Sequence, residues 1–84
     1  MKIKIYSKPK CEYCIQAKEY LTSENIEYEE INLSEKDNRK DREWFRSLGI
    51  NKLPILIVQQ DKEDDMMFFG WENHTKEIID ELSR

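Results

Sequence analysis

Cys11 and Cys14 are the only cysteines in the chain, and Glu12 and Tyr13 separate them. Two thiols at this spacing can run a disulfide exchange cycle. A thiolate attacks a target disulfide and forms a mixed disulfide, and the second thiol displaces the target. Lys2–Tyr6 alternates in the manner of a strand before the pair, and a helical pattern follows it. At a helix start several amides have no internal partner, and the dipole is positive there. Lys8 and Lys10 add nearby charge. The Cys11 thiol should therefore titrate below its ordinary value of about 8.5 and act as the nucleophile. Cys14 falls one turn further, on the inward stripe, where it can reach back to Cys11 as the resolving thiol. An outside thiol must then reset the pair. Glu12 opposes the thiolate, but a solvent-facing carboxylate is well screened.

Other uses of the pair fit less well. A disulfide closing so short a loop restrains little unfolded chain. Structural zinc takes four protein ligands, and His74 is the one remaining soft ligand. No metal site is expected, and His74 reads as a surface residue.

Several elements must position this pair. Lys2–Tyr6 reads as a strand with Ile3 and Ile5 on one face. Pro9 breaks the pattern, and a helix runs from about Cys11 to Thr22 or Ser23 with Cys14, Ala17 and Leu21 inward. Asn25 is a candidate C-terminal cap. Glu27–Leu33 reads as a second strand with Ile31 and Leu33 inward. Ser34 is a candidate N-cap for a helix over Glu35–Leu48, with Trp44, Phe45 and Leu48 as its apolar residues and Gly49 as its C-cap. Trp44 is assigned to packing of this helix on the sheet. Pro54–Val58 is apolar throughout and predicts a central strand covered on both faces, with Pro54 at its start. The polar stretch 59–65 predicts a hairpin into a fourth strand, Met66–Phe69. Gly70 then releases the chain into a helix from about His74 to Leu82, with Ile78, Ile79 and Leu82 buried and Asn73 or Thr75 as cap. The order β-α-β-α-β-β-α predicts a single α/β domain over residues 1–84, a four-stranded mixed sheet with helices on both faces.

Composition narrows the function further. The 84 residues carry a formal charge of -4. This argues against nucleic acid as the main partner, because a backbone binder needs a basic face. No apolar run approaches the ~20 residues of a membrane span, and the N-terminus lacks a signal-like apolar region. A cytoplasmic protein is expected, and nothing in the sequence calls for more than a monomer.

Three separated segments together resemble the glutaredoxin family: Tyr6–Cys14, Gly49–Pro54, and Gly70-Trp71 before the last helix. The dithiol type is the nearest pattern, close to the glutaredoxin-like hydrogen donors of ribonucleotide reductase. The resemblance implies a thioredoxin-like fold without a bound cofactor. It implies glutathione as the reducing co-substrate, and protein disulfides, including that of ribonucleotide reductase, and glutathione mixed disulfides as substrates. It assigns Cys11 as nucleophile and Cys14 as resolving thiol. By the same resemblance Tyr13 borders the thiol, and Lys8 supports the thiolate and a glutathione carboxylate. Pro54 becomes a cis-proline facing the site, and the Leu53 backbone pairs with an extended peptide. Gly70 permits close backbone approach, and Asn73 falls near the position that holds the ligand's amino end. Arg42 and Arg46 are weaker candidates for the second carboxylate.

The departures from the family pattern define the alternatives. Glu12 replaces the commonest proline, Lys52 a usual threonine, and Phe69 the first glycine of a Gly-Gly pair. Glu72 and Asn73 blur an acidic motif. Lys52, with Lys8, adds attraction for anionic glutathione, whereas the blurred residues near Gly70 and the aromatic Trp71 favour, as the alternative, a redoxin recharged by thioredoxin reductase that donates electrons to ribonucleotide reductase. Relatives without the proline also include holders of an iron–sulfur cluster between two subunits. A non-enzymatic docking domain, with Trp44 and Trp71 as exposed aromatics, is the remaining reading.

Overall fold

The computed structural model describes residues 1–83. The chain forms β1 (Lys2–Ser7), α1 (Glu12–Ser23), β2 (Glu29–Asn32), a 3-10 turn (Lys36–Asn38), α2 (Arg39–Ser47), β3 (Ile55–Gln59), β4 (Met66–Phe69) and α3 (Asn73–Leu82). The four strands lie in the order β2-β1-β3-β4. β1 runs parallel to β2 and antiparallel to β3, and β3 runs antiparallel to β4. This is the thioredoxin-like α/β fold.

Side-chain alternation along the strands sorts the core onto the two faces of the sheet. On one face Ile3, Ile5, Leu56 and Val58 pack with Ala17 and Leu21 of α1, Ile79 of α3, and Trp71. On the other face Tyr6 and Ile55 pack with Leu33 and with Phe45 of α2. The Tyr6 and Phe45 rings meet edge to face at 4.8 Å between centroids. β1 and β3 contribute to both clusters, so the unbroken apolar run of β3 is that of a strand covered on both sides.

Two helix ends close as the sequence indicates. Asn25 (φ 57°) and Gly49 (φ 78°) are both left-handed. The Asn25 amide bonds Thr22 O and the Ile26 amide bonds Leu21 O; Gly49 to Arg46 O and Ile50 to Phe45 O repeat the arrangement. Both are Schellman closures, which satisfy carbonyls at the helix end.

Several expectations are corrected. Ser34 does not cap a helix: its amide and hydroxyl both donate to Asn32 Oδ1, at 2.9 and 2.7 Å. That local turn delays α2, which begins at Arg39 after one 3-10 turn. β2 starts at Glu29 rather than Glu27, because pairing with β1 begins at Lys4–Glu29. Trp44 is half-exposed rather than packed on the sheet, and so is Leu48. Both lie to one side of Phe45, the buried residue of α2. Trp71, read as an exposed aromatic in the docking alternative, is buried. α3 begins at Asn73 with Glu72 at the N-cap and no side-chain cap bond, so neither Asn73 nor Thr75 caps it. No helix among the described residues is long and apolar enough to cross a membrane.

Candidate active site

Cys11 occupies the N-cap of α1 in extended geometry (φ -93°, ψ 105°). Its Sγ accepts a 3.2 Å hydrogen bond from the Cys14 amide, one of the otherwise unpartnered donors of the first turn. Lys10, left-handed at φ 62°, turns the chain into this position. Cys11 and Cys14 are joined as a disulfide with 5.2 Å between Cα atoms. Cys14 is 1% exposed and Cys11 9%, so Cys11 is the more accessible residue of the two. Cys14 shares the buried face of α1 with Ala17 and Leu21, while Glu12 and Tyr13 face solvent.

The register brings the other candidate residues to the same end of the sheet. Tyr6 pairs with Ile55, and Ile55 with Phe69. One residue further along, Ser7, Pro54 and Gly70 therefore stand in a row beside the loop that carries Lys8 to Cys11. Leu53–Pro54 is cis, Pro54 is fully buried, and its carbonyl accepts the Gly70 amide at 2.8 Å. Gly70 is left-handed at φ 79°, a conformation suited to glycine. Gly70 is partly exposed, and the Lys52 stem stands beside it, its Cδ 3.8 Å from where a Gly70 Cβ would be. Asn73 is exposed in the first turn of α3.

Lys8 and Leu53 line an open groove of about 370 Å³ between the active-site loop and α2. Its apolar floor includes Leu33, Phe45 and Ile55, and Arg42 and Arg46 stand on its wall. Among the described residues, its charged lining is cationic. The Arg42 guanidinium donates to Leu33 O at 3.2 Å, which holds the arginine against the groove. Tyr13, Pro54, Gly70 and Asn73 are not part of the groove lining.

One feature of the region was not singled out by sequence reasoning. Glu30 of β2 accepts from Ser7 Oγ at 2.8 Å and from Lys18 Nζ at 2.6 Å, both through Oε2. The Lys18 hydrogen bond, helped by that from Ser7, holds the Glu30 carboxyl below its usual range against a smaller opposing effect of burial. The signal was present in pattern only: Lys18 follows Cys14 by four residues, and Glu30 alternates with inward Ile31. His74 forms a surface contact with Glu72 at 3.1 Å. Among the described residues, no group of three or more His, Cys, Asp or Glu side chains is placed to hold a metal ion.

A thioredoxin-like fold with a Cys-x-x-Cys disulfide at the mouth of its first helix defines a dithiol–disulfide oxidoreductase. Residues 3–62 match the family model described as Glutaredoxin. A relative from Clostridium pasteurianum, an uncharacterized glutaredoxin-like 8.6 kDa protein in the rubredoxin operon, is 50% identical over 57 residues, 67% of this chain and 73% of the relative. The chain belongs to the glutaredoxin family. In fold it is similar to the glutaredoxin-like protein NrdH-redoxin from Escherichia coli, with a TM-score of 0.76 at 23% identity over 98% of this chain and 95% of that one. Glutaredoxin 1 from Francisella tularensis, solved with cacodylate, gives a TM-score of 0.66 at 19% identity over 99% and 98% of the two chains.

Proposed function

We propose that this protein carries electrons from thioredoxin reductase to protein disulfides, with Cys11 as nucleophile and Cys14 as resolving thiol. The hydrogen bond from the Cys14 amide and the N-terminus of α1 both favour a thiolate at Cys11. That thiolate attacks one sulfur of the target disulfide. A Cys11–target disulfide forms, and the target's other sulfur leaves as a thiolate. Deprotonated Cys14 then attacks the Cys11 Sγ, forming the Cys11–Cys14 disulfide and releasing the second target thiolate. Two thiols are oxidised, one target disulfide is reduced, and the reductase returns the two electrons.

The observation that carries the choice of electron source is Lys52 across Gly70. The resemblance to glutaredoxins implied an open backbone there for glutathione, and the lysine stem stands beside it. The preferred reading of the sequence, recharge by glutathione, is thereby weakened. The thioredoxin-reductase alternative gains support from the fold likeness to NrdH-redoxin, a protein described as having a thioredoxin-like activity profile. Ribonucleotide reductase is the target class that the resemblance supplies.

The cationic groove of Lys8, Arg42 and Arg46 favours a second reading, in which glutathione carboxylates bind there and glutathione recharges the pair. Stopped reactions with NADPH separate the two. Oxidised protein is mixed either with thioredoxin reductase or with glutathione and glutathione reductase, and NADPH consumption is followed. Rapid turnover in the first mixture alone is expected, whereas turnover only with glutathione overturns the assignment.

A further inference from the structure

The loop that presents Cys11 has two stems: the end of β1 at Ser7 and the first turns of α1. One carboxylate oxygen joins them. Glu30 Oε2 receives Ser7 Oγ from one stem and Lys18 Nζ from the other. Ser7 is 3% exposed, and its carbonyl takes the Leu33 amide at 2.8 Å, so this stem is fixed in the sheet. Lys18 lies four residues after Cys14 and therefore shares its helix face. Glu30 itself is set by the sheet register, opposite Ile5 of β1.

We propose that Glu30 is a positioning residue for the dithiol, a clamp that closes the base of the active-site loop and holds Cys14 within reach of Cys11. The inference rests on the cysteine roles proposed above. Disulfide closure needs both sulfurs held together, whereas the open dithiol does not. A restraint across the stems therefore raises the effective concentration of Cys14 at Cys11. Loss of the clamp keeps both thiols but lets α1 shift against β1, so that Cys14 is held less closely at Cys11. The Cys11–Cys14 disulfide then becomes easier to reduce, and a mixed disulfide on Cys11 waits longer for Cys14.

The test equilibrates the full chain in dithiothreitol redox buffers and scores the dithiol and disulfide forms by alkylation and mass spectrometry. The wild type is compared with Glu30→Ala, Glu30→Gln, Lys18→Ala and the Glu30→Ala/Lys18→Ala pair, and thermal midpoints are recorded alongside. Glu30→Ala is expected to lower the equilibrium constant for disulfide formation by about two- to fivefold, the scale of a partly exposed ion pair. It should lengthen the lifetime of the mixed disulfide by a similar factor. Glu30→Gln, which keeps an acceptor for Ser7, should recover part of the loss. Lys18→Ala should add nothing once Glu30 is gone. A lowered thermal midpoint with an unchanged equilibrium constant in both Glu30 variants overturns the clamp and leaves Glu30 a structural residue. A wild type that fails to interconvert between dithiol and disulfide overturns the cysteine roles, and the clamp falls with them.

Discussion

The Gly70 amide donates a 2.8 Å hydrogen bond to the Pro54 carbonyl. This bond extends the β3–β4 ladder one step beyond the Ile55–Phe69 pair. It ties the segment leading into β3 to the exit of β4, at the end of the sheet where β1 delivers the Cys11 loop. The Lys52 stem lies next to the same glycine. A lysine side chain thus stands beside the backbone on that side of the site.

Lys52 is accordingly the residue whose shortening should change donor preference. Lys52→Ala is expected to lower the KM for glutathione in the coupled glutathione reductase assay by several-fold, with turnover by thioredoxin reductase less affected. An unchanged or raised KM for glutathione would show that the lysine helps, rather than obstructs, that ligand.

The two sulfurs should behave differently. In the reduced protein at neutral pH, iodoacetamide is expected to label Cys11 well before Cys14, because Cys11 is the more accessible and accepts the amide bond. Cys14→Ser should trap target proteins as mixed disulfides, visible on non-reducing gels, while Cys11→Ser traps none. Preferential labelling of Cys14 contradicts both roles.

Phe45 anchors α2 through its contact with Tyr6. Phe45→Ala should cost about 3–5 kcal/mol, a large share of the stability of so small a domain. Urea denaturation followed by circular dichroism measures it. Trp44→Ala, at a half-exposed position on the same helix, should cost far less.

Gly49→Ala tests the left-handed helix ending in isolation, since nothing lies within 4 Å of the added Cβ. The expected loss is about 1–2 kcal/mol from backbone conformation alone. A neutral substitution would mean that the end of α2 rearranges.

Glu30 gives a pH signature with a definite sign. Its folded-state value lies below the unfolded one, mainly through Lys18. Its contribution is therefore complete above the unfolded value and disappears as pH falls through the lowered folded value. The difference in urea midpoint between wild type and Glu30→Gln should be small but present at neutral pH, because the pair is part-solvated, and should shrink across that acidic window. A difference that grows on acidification would refute the assigned sign.

Much of this molecule was legible locally. The Cys11–Cys14 spacing, the alternation of Lys2–Tyr6, the stripe of Cys14, Ala17 and Leu21, and the cap positions Asn25 and Gly49 each follow from neighbours along the chain. Steric rules and hydrogen-bond closure act over a few residues, so such features can be read without the fold. Ser34 and Trp44 were misread because their outcomes depended on competition. Asn32 Oδ1 captured the Ser34 amide before a helix could use that residue, and α2 had one deep position, which Phe45 took.

The sequence by itself determined the chemistry: a pair of sulfurs at a helix mouth, and the order of strands and helices that puts them there. Tertiary structure decided the surroundings. Sheet register set Pro54 beside Gly70 and Ser7, while the packing of the loops and of α2 put Lys52 beside the glycine and gathered Lys8, Arg42 and Arg46 around one groove. It also brought Glu30 to Ser7 and Lys18. These residues are distant along the chain, and their meeting is fixed by strand pairing and by which face of the sheet each element covers, neither of which a local pattern specifies.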